Sequence, residues 1–219
     1  MESKNWDRFA PFYDLFLKKD KEAYNEMYEL IRKTIANKNV LELATGTGLI
    51  AKNVAIAAKH IDATDYSEKM IQQAKKGNNL DNIKFEVQDA TDLKYEDNTY
   101  DIVIISNALH IMPEPEKALA EIKRVLKEDG LLICPNFLKQ DLEQLPFFKK
   151  IGMKLIYHLG FQTCHQWTEE EYLKYLESQN FTILSHKVIK CTLPLCYVEC
   201  KEKKYSSLQK KINNNLIPY

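Results

Sequence analysis

Two glycines and three carboxylates in the first half of the chain are the residues best suited to hold a charged small molecule. Gly46 and Gly48 stand within Glu42-Leu43-Ala44-Thr45-Gly46-Thr47-Gly48, in a chain with only six glycines. Glycine lets a backbone approach a ligand closely and adopt positive φ. Such a loop ahead of a helix offers unpaired N–H groups to a phosphate, a carboxylate or the ribose region of a nucleoside. Gly46-Thr47-Gly48-Leu49-Ile50-Ala51 also fits the alanine-ended form of the dinucleotide fingerprint. Asp65 stands where an acidic residue meets a ribose diol, and Asp89-Ala90 where a carboxylate and an amide reach an adenine amino group. Each charged hydrogen bond from a diol contributes about 1.5–3 kcal/mol. Glu42 would repel a pyrophosphate and suits a cationic or amino-bearing ligand. Singly, Asp65 or Asp89 reads as a turn or cap residue. Together with Glu42 and the glycine pair, at successive strand ends, they read as a site.

The elements that must position these residues are legible in the hydrophobic pattern. Val40–Leu43, Ile61–Thr64, Ile83–Val87, Asp101–Ser106 and Leu131–Cys134 read as strands, the fourth apolar enough to be buried on both faces. Between them, Leu49–Lys59, a stretch capped by Ser67 and running to Lys76, and Pro115–Lys127 read as helices, the last ended by Asp129-Gly130. Residues 20–36 form an earlier amphipathic helix with Asp20 as its cap. Alternation of this kind means right-handed crossovers, a parallel sheet and helices on both faces. Ligands then bind beyond the carboxyl ends of the strands. Those ends are Glu42–Gly48, Asp65-Tyr66, Asp89-Ala90, Ser106–His110 and Pro135-Asn136. Further on, Trp167–Glu171 opens a capped helix to Ser178, and Phe181–Ile189 and Leu193–Val198 read as closing strands.

Composition narrows the function. The 219 residues carry 31 Lys plus Arg against 31 Asp plus Glu, and 45% are hydrophobic. That excludes a disordered chain and argues against a protein holding nucleic acid mainly through phosphate charge. No run of about 18 apolar residues would span a bilayer. Met1–Arg8 lacks the apolar stretch of a secretory signal, so a cytoplasmic protein is expected. Five cysteines without a Cys-x-x-Cys pair fit reduced thiols; Cys191, Cys196 and Cys200 match no zinc spacing, and no metal is expected.

From about Val40 to Phe137 the sequence resembles a class I S-adenosylmethionine-dependent methyltransferase of the small-molecule branch, similar to quinone-biosynthesis and thiol methyltransferases. The resemblance is carried by the Val40–Gly48 loop, Asp65-Tyr66-Ser67-Glu68-Lys69-Met70, Gln88-Asp89-Ala90, Asn107-Ala108-Leu109-His110 and Arg124–Gly130. It implies an α/β fold, Rossmann-like and doubly wound, with a mostly parallel seven-stranded sheet and an antiparallel edge strand. It implies S-adenosyl-L-methionine as cofactor. Glu42, Ala44, Thr45, Gly46 and Gly48 would hold its methionyl end, and Asp65 its ribose. Tyr66 or Met70 would lie against the adenine, with Asp89 and Ala90 at the adenine edge. Asn107 and Ala108 would line the methionyl side, and Tyr13 would close over the cofactor. Ala44 departs from the family, which often has glycine there; a local adjustment is expected.

One domain is expected over 1–219: an N-terminal helical lid or cap at 1–36, the cofactor-binding core at 37–137, a substrate cover at 138–167, the closing helix and strands at 168–200, and a tail at 201–219. In-line transfer of a sulfonium methyl needs alignment and desolvation more than a strong catalytic group. A base is required only when the nucleophile arrives protonated, and His110 is the candidate. Packing beside Met112-Pro113 is its bland alternative. Asn107–His110 is not the Asn-Pro-Pro-Tyr type that acts on nucleobases or glutamine amides. The apolar stretch 140–161 suggests a small, partly apolar acceptor, with no nucleic-acid partner. Its Lys149, Lys150 and Lys154 admit association with a membrane surface without insertion. The competing functions are a nicotinamide-dependent oxidoreductase and a non-catalytic ligand-binding relative of the fold.

Overall fold

The computed structural model describes residues 18–139 and 163–204. Tyr13, the apolar stretch 140–161 and most of the tail lie outside the described residues. A turn at Lys18–Asp20 leads into α1 (Lys21–Thr34). The chain then alternates through β1 (Asn39–Leu43), α2 (Leu49–Val54), β2 (His60–Asp65), α3 (Glu68–Lys75) and β3 (Ile83–Val87). It continues through β4 (Tyr100–Ile105), α4 (Pro115–Val125), β5 (Leu126–Ile133) and β6 (Asn136–Phe137), and closes with α5 (Glu169–Ser178), β7 (Phe181–Ile189) and β8 (Leu195–Glu202).

The strands build one sheet, with β3-β2-β1-β4-β5 all parallel. β8 runs antiparallel to both β5 and β6, and β7 pairs antiparallel with β8 at the far edge. β6 continues the line of β5 past Pro135, which has no N–H for the ladder, so the eight segments make the expected seven-stranded arrangement with one broken strand. The mostly parallel, doubly wound sheet is the product of the strand–helix alternation. No helix among the described residues is long and apolar enough to cross a membrane.

Strand parity sorts the core into two layers. Val40, Ile102 and Ile104 pack with Met27, Ile31 and Ile35, with Ala51 and Val54 of α2, and with Ile71 and Ala74 of α3. Leu41, Leu43, Val103 and Ile105 turn to the other face, against Leu119, Ile122 and Val125 of α4 and Tyr172 and Leu176 of α5. Full burial of each such aliphatic side chain is worth about 1.5–3 kcal/mol. β4 serves both layers, which is why its sequence is an uninterrupted apolar run. Cys134, Cys196 and Cys200 are buried free thiols of the second layer.

Four local expectations change. Asp20 precedes α1 but makes no side-chain cap; its carboxylate instead accepts the N–H and hydroxyl of Thr192 at 2.8 and 2.9 Å. α2 stops at Val54, not Lys59, because the carbonyls beyond it are taken elsewhere: Ala55 and Ala58 by the Asn82 amide, Ala57 by the Asn37 N–H. α4 ends at Val125, and Asp129-Gly130 lies inside β5, where the register jumps from Tyr100↔Leu126 to Ile102↔Leu131. The last strand runs to Glu202, into the expected tail. Ser67 and Thr168 cap α3 and α5 as anticipated, Thr168 with a complete capping box.

Gly48 has a packing reason for being glycine. Its φ is +76°, and an added Cβ would lie 2.7 Å from the Phe85 ring. Gly77 has φ +65° with nothing within 4 Å of its would-be Cβ. Alanine at either position carries the left-handed penalty of about 1–2 kcal/mol. Urea unfolding should therefore show Gly48→Ala more destabilising than Gly77→Ala, the excess measuring the Phe85 contact; equal losses would mean that the Phe85 contact does not restrict this position.

Candidate functional site

β1, β2 and β4 end side by side, and the loops that leave them bend into one rim. Ala44 leaves β1 at φ +53°, Gly46 comes next at +58° and Gly48 at +76°. The Thr45 N–H donates to the Thr64 carbonyl at 2.9 Å, tying the loop to β2. Asp65 completes the tie: one carboxylate oxygen accepts the Gly46 N–H and the other the Ser67 N–H, both at 2.8 Å. One side chain thus fixes both the glycine loop and the entry to α3. After β4, Asn107 turns at φ +52° and gives its N–H to the Pro135 carbonyl at 2.8 Å.

These loops enclose a cavity of about 370 Å³. Of the residues singled out in the sequence, Ala44, Gly46, Asp65, Tyr66, Met70, Asp89, Ala90, Asn107 and Ala108 line it. Thr45 and Gly48 stand behind the wall, both buried. Glu42 lies beneath the loop, 2% exposed. Sequence reasoning missed the opposite rim, where Ile111, Met112, Pro113, Glu114 and Lys117 contribute, the last two ion-paired at 2.8 Å. They belong to a turn and a helix start rather than a strand end, so the strand-end rule had no purchase on them. Ala44 shows why glycine suits this position: its left-handed φ costs an L-residue about 1–2 kcal/mol.

The electrostatics are uneven. Glu42 Oε2, Thr45 Oγ1, Ser106 Oγ and Asn107 Oδ1 are buried without a hydrogen-bond partner. Leaving such an atom unpaired costs about 1–3 kcal/mol. Burial pushes the Glu42 carboxyl up to about 8, against the lowering influence of the Thr45 side chain and the Ala51 backbone and with a smaller push from the Asp65 charge. Asp89 is exposed at the mouth, with one oxygen holding the Thr91 N–H and hydroxyl at 2.8 and 2.7 Å in a local turn. Tyr66 is 58% exposed beside it, a large ring offered to the cavity.

His110 does not line the cavity. It sits in the short turn Leu109–Ile111, with Nδ1 2.9 Å from Asn136 Oδ1 and its ring edge-on to Phe137. Burial lowers its proton affinity, and His165 adds to that. No cluster of metal-ligating side chains occurs among the described residues.

Glu42 makes stability depend on pH in one direction. Its folded value lies above its unfolded value, so the folded state holds the extra proton. That stability is fully present below pH 4.5 and is lost as pH rises through about 8. The slope reaches at most about 1.4 kcal/mol per pH unit. Denaturant unfolding of Glu42→Gln from pH 4.5 to 8 should show a flatter stability profile than the parent; parallel profiles would contradict the buried, protonated carboxyl.

Comparison with known proteins agrees with this geometry. Residues 41–134 match the methyltransferase domain family. The chain is 28% identical over 171 residues to the demethylmenaquinone methyltransferase of Clavibacter sepedonicus, covering 70% of this chain and 69% of the relative. It is 36% identical over 136 residues to the ubiquinone/menaquinone biosynthesis C-methyltransferase of Rickettsia bellii, covering 57% and 54%. The chain thus spans about half the length of several curated relatives that it matches. Its fold superposes on the DhpI–SAH complex with a TM-score of 0.73 over 93% of this chain and 96% of the other, at 20% identity. The matched domain and the relatives make residues 41–134 similar to the methyltransferase domain family, and the fold is the one seen in the DhpI–SAH complex.

Proposed function

We propose that the chain methylates a ring carbon of a small, partly apolar hydroquinone, with S-adenosylmethionine as donor. The observation that supports this most is the cluster of unpartnered buried acceptors at the ends of β1 and β4: Glu42 Oε2, Ser106 Oγ and Asn107 Oδ1. An ammonium group brings three donors and a positive charge to satisfy them. At the other end of the cavity, Asp65 meets the ribose hydroxyls, Tyr66 and Met70 cover the adenine, and Asp89 with the Ala90 amide takes the adenine edge. The donor supplies an electrophilic methyl on a sulfonium sulfur. The residues bind, orient and desolvate, and Asn107 and Ala108 form the wall on the methionyl side.

The same cluster counts against a dinucleotide. A pyrophosphate at the Gly46–Gly48 loop would bring negative charge beside the Glu42 carboxyl and Asp65 and would leave the acceptor-only Asn107 Oδ1 unmatched. The acceptor class rests on the named relatives and on polarity. A quinone ring carbon is itself electrophilic, so only the reduced hydroquinone can attack a methyl cation equivalent.

Calorimetric titration with S-adenosylmethionine should show saturable binding to the intact protein. Asp65→Ala should weaken it by about 10- to 150-fold, the equivalent of one charged hydrogen bond of about 1.5–3 kcal/mol. Circular dichroism would confirm that the variant is folded, since Asp65 also anchors Gly46 and Ser67. Unchanged affinity would remove Asp65 from the ribose role. Assay of methyl transfer to a panel of a naphthohydroquinone, a simple phenol, a thiol and an amine should single out the naphthohydroquinone; preference for the amine or thiol would overturn the acceptor class.

A further inference from the structure

Asn136 sits at the start of β6, 1% exposed, just after the Pro135 carbonyl that holds the Asn107 N–H. Its side-chain amide spans two groups. Nδ2 lies 3.0 Å from the Phe137 carbonyl, and Oδ1 lies 2.9 Å from His110 Nδ1. A carbonyl can only accept, so Phe137 fixes which end of the amide is which: the reverse orientation would set two oxygens together. The oxygen therefore faces the imidazole, and Nδ1 carries the hydrogen. In a neutral ring the lone pair is then on Nε2, which no described residue engages.

The surroundings hold this arrangement. The N–H groups of Cys164 and His165 both donate to the His110 carbonyl, at 2.9 and 3.0 Å, and the Cys164 thiol donates to the Ile111 carbonyl at 3.3 Å. His165 is in turn stacked on Trp167, with ring centroids 5.0 Å apart and planes within 2°. The titratable neighbours of His110 are thus His165 and Cys164; β6 brings none. Burial, and to a lesser degree His165, disfavour the imidazolium against the Asn136 hydrogen bond that favours it, and the net lowering keeps the ring available as a base near neutrality. Ile111, the next residue, lines the cavity.

We infer that Asn136 is a positioning residue: it locks His110, which does not itself line the cavity, in the Nδ1–H tautomer so that Nε2 receives the hydroxyl proton of the acceptor through one intervening water. This deepens the methyl-transfer reading and rests on it. As the O–H bond breaks, its proton moves to Nε2 and the oxygen's electron pair is released through the ring. The ring carbon forms its bond to the methyl carbon, and the carbon–sulfur bond breaks with its pair left on a neutral thioether. The methylated ring carbon then loses its proton to water as the imidazolium returns a proton to the oxygen. One proton is released overall, and no oxidant or reductant is consumed. The acceptor class this selects is one whose nucleophile arrives protonated, a hydroquinone or phenol rather than a thiolate or neutral amine.

Long-range proton–nitrogen NMR of the ¹⁵N-labelled full chain reads the tautomer without any ligand. The wild type should show His110 with Nδ1 protonated and Nε2 bare; the opposite pattern overturns the inference whether or not any variant folds. Asn136→Leu should lose the bias toward Nδ1–H, and Asn136→Asp should keep it. With S-adenosylmethionine and a naphthohydroquinone as probe, His110→Ala should lower kcat by about 10²–10⁴-fold. Asn136→Leu should lower kcat at least about tenfold with the KM for S-adenosylmethionine unchanged. Asn136→Asp should recover kcat, with the acidic limb of its pH profile moved upward by the added carboxylate. Equal kcat in Asn136→Leu and wild type would overturn the positioning role. Failure of the wild type to bind S-adenosylmethionine would instead sink the methyl-transfer reading, and the tautomer measurement would stand apart from it. Binding without transfer to the hydroquinone, with the tautomer as expected, would overturn the base assignment.

Discussion

A carboxyl group held under a loop, almost out of reach of water, constrains everything around it. Glu42 is in the middle of a hydrogen-bonded strand, so its side chain cannot swing to solvent without breaking β1 from β2 and β4. Strand parity places it on the face covered by α1, α2 and α3. The protein tolerates this by keeping the group protonated, and it still leaves Oε2 unsatisfied. Six buried side-chain polar atoms lack partners among the described residues, and four of them fall in the two short stretches 42–45 and 106–107. A folded chain that concentrates its unmet hydrogen bonds at neighbouring strand ends has given up stability there that a bound ammonium group would restore.

The remainder of the fold holds that deficit in place. Five parallel strands bring their carboxyl ends to one edge, and the single Asp65 carboxylate ties the glycine loop of one crossover to the helix start of the next. On the far side of β4 the same logic recurs with backbone groups: the Pro135 carbonyl holds Asn107, and the β5–β6 interruption at Pro135 aims Asn136 toward the turn that carries His110. In the proposed reading, donor side and acceptor side are therefore built on adjacent strands of one sheet. That suits a reaction whose barrier is lowered chiefly by alignment.

Most of this architecture was legible in the residues, for identifiable reasons. The apolar run of β4, the Ser67 cap and the glycine loop each have one dominant local cause, and each appears where expected. What escaped was decided by contacts distant in sequence. Asp20 has the chemistry of a cap, but Thr192, 172 positions away, captures it. α2 could continue by propensity, yet Asn82 and Asn37 take its carbonyls. Gly48 reads in sequence as a ligand-contacting glycine, and the space it leaves for Phe85 is a further reason for glycine there that the sequence did not show. The rim residues Ile111 to Glu114 and Lys117 carry no motif at all; only the folded chain brings them to the cavity. The orientation of Asn136, whose amide oxygen meets His110 Nδ1, was equally invisible, because it is set by the carbonyl of the next residue.

Carbon-13 NMR titration of the Glu42 carboxyl, alone and saturated with S-adenosylhomocysteine, addresses the central claim most directly. The free protein should titrate near 8, and an ammonium group seated beside Glu42 should draw the midpoint down toward the ordinary carboxylate range. A midpoint that stays the same with the ligand bound would mean that the buried acid does not receive the amino group, and would contradict the assignment of this cavity.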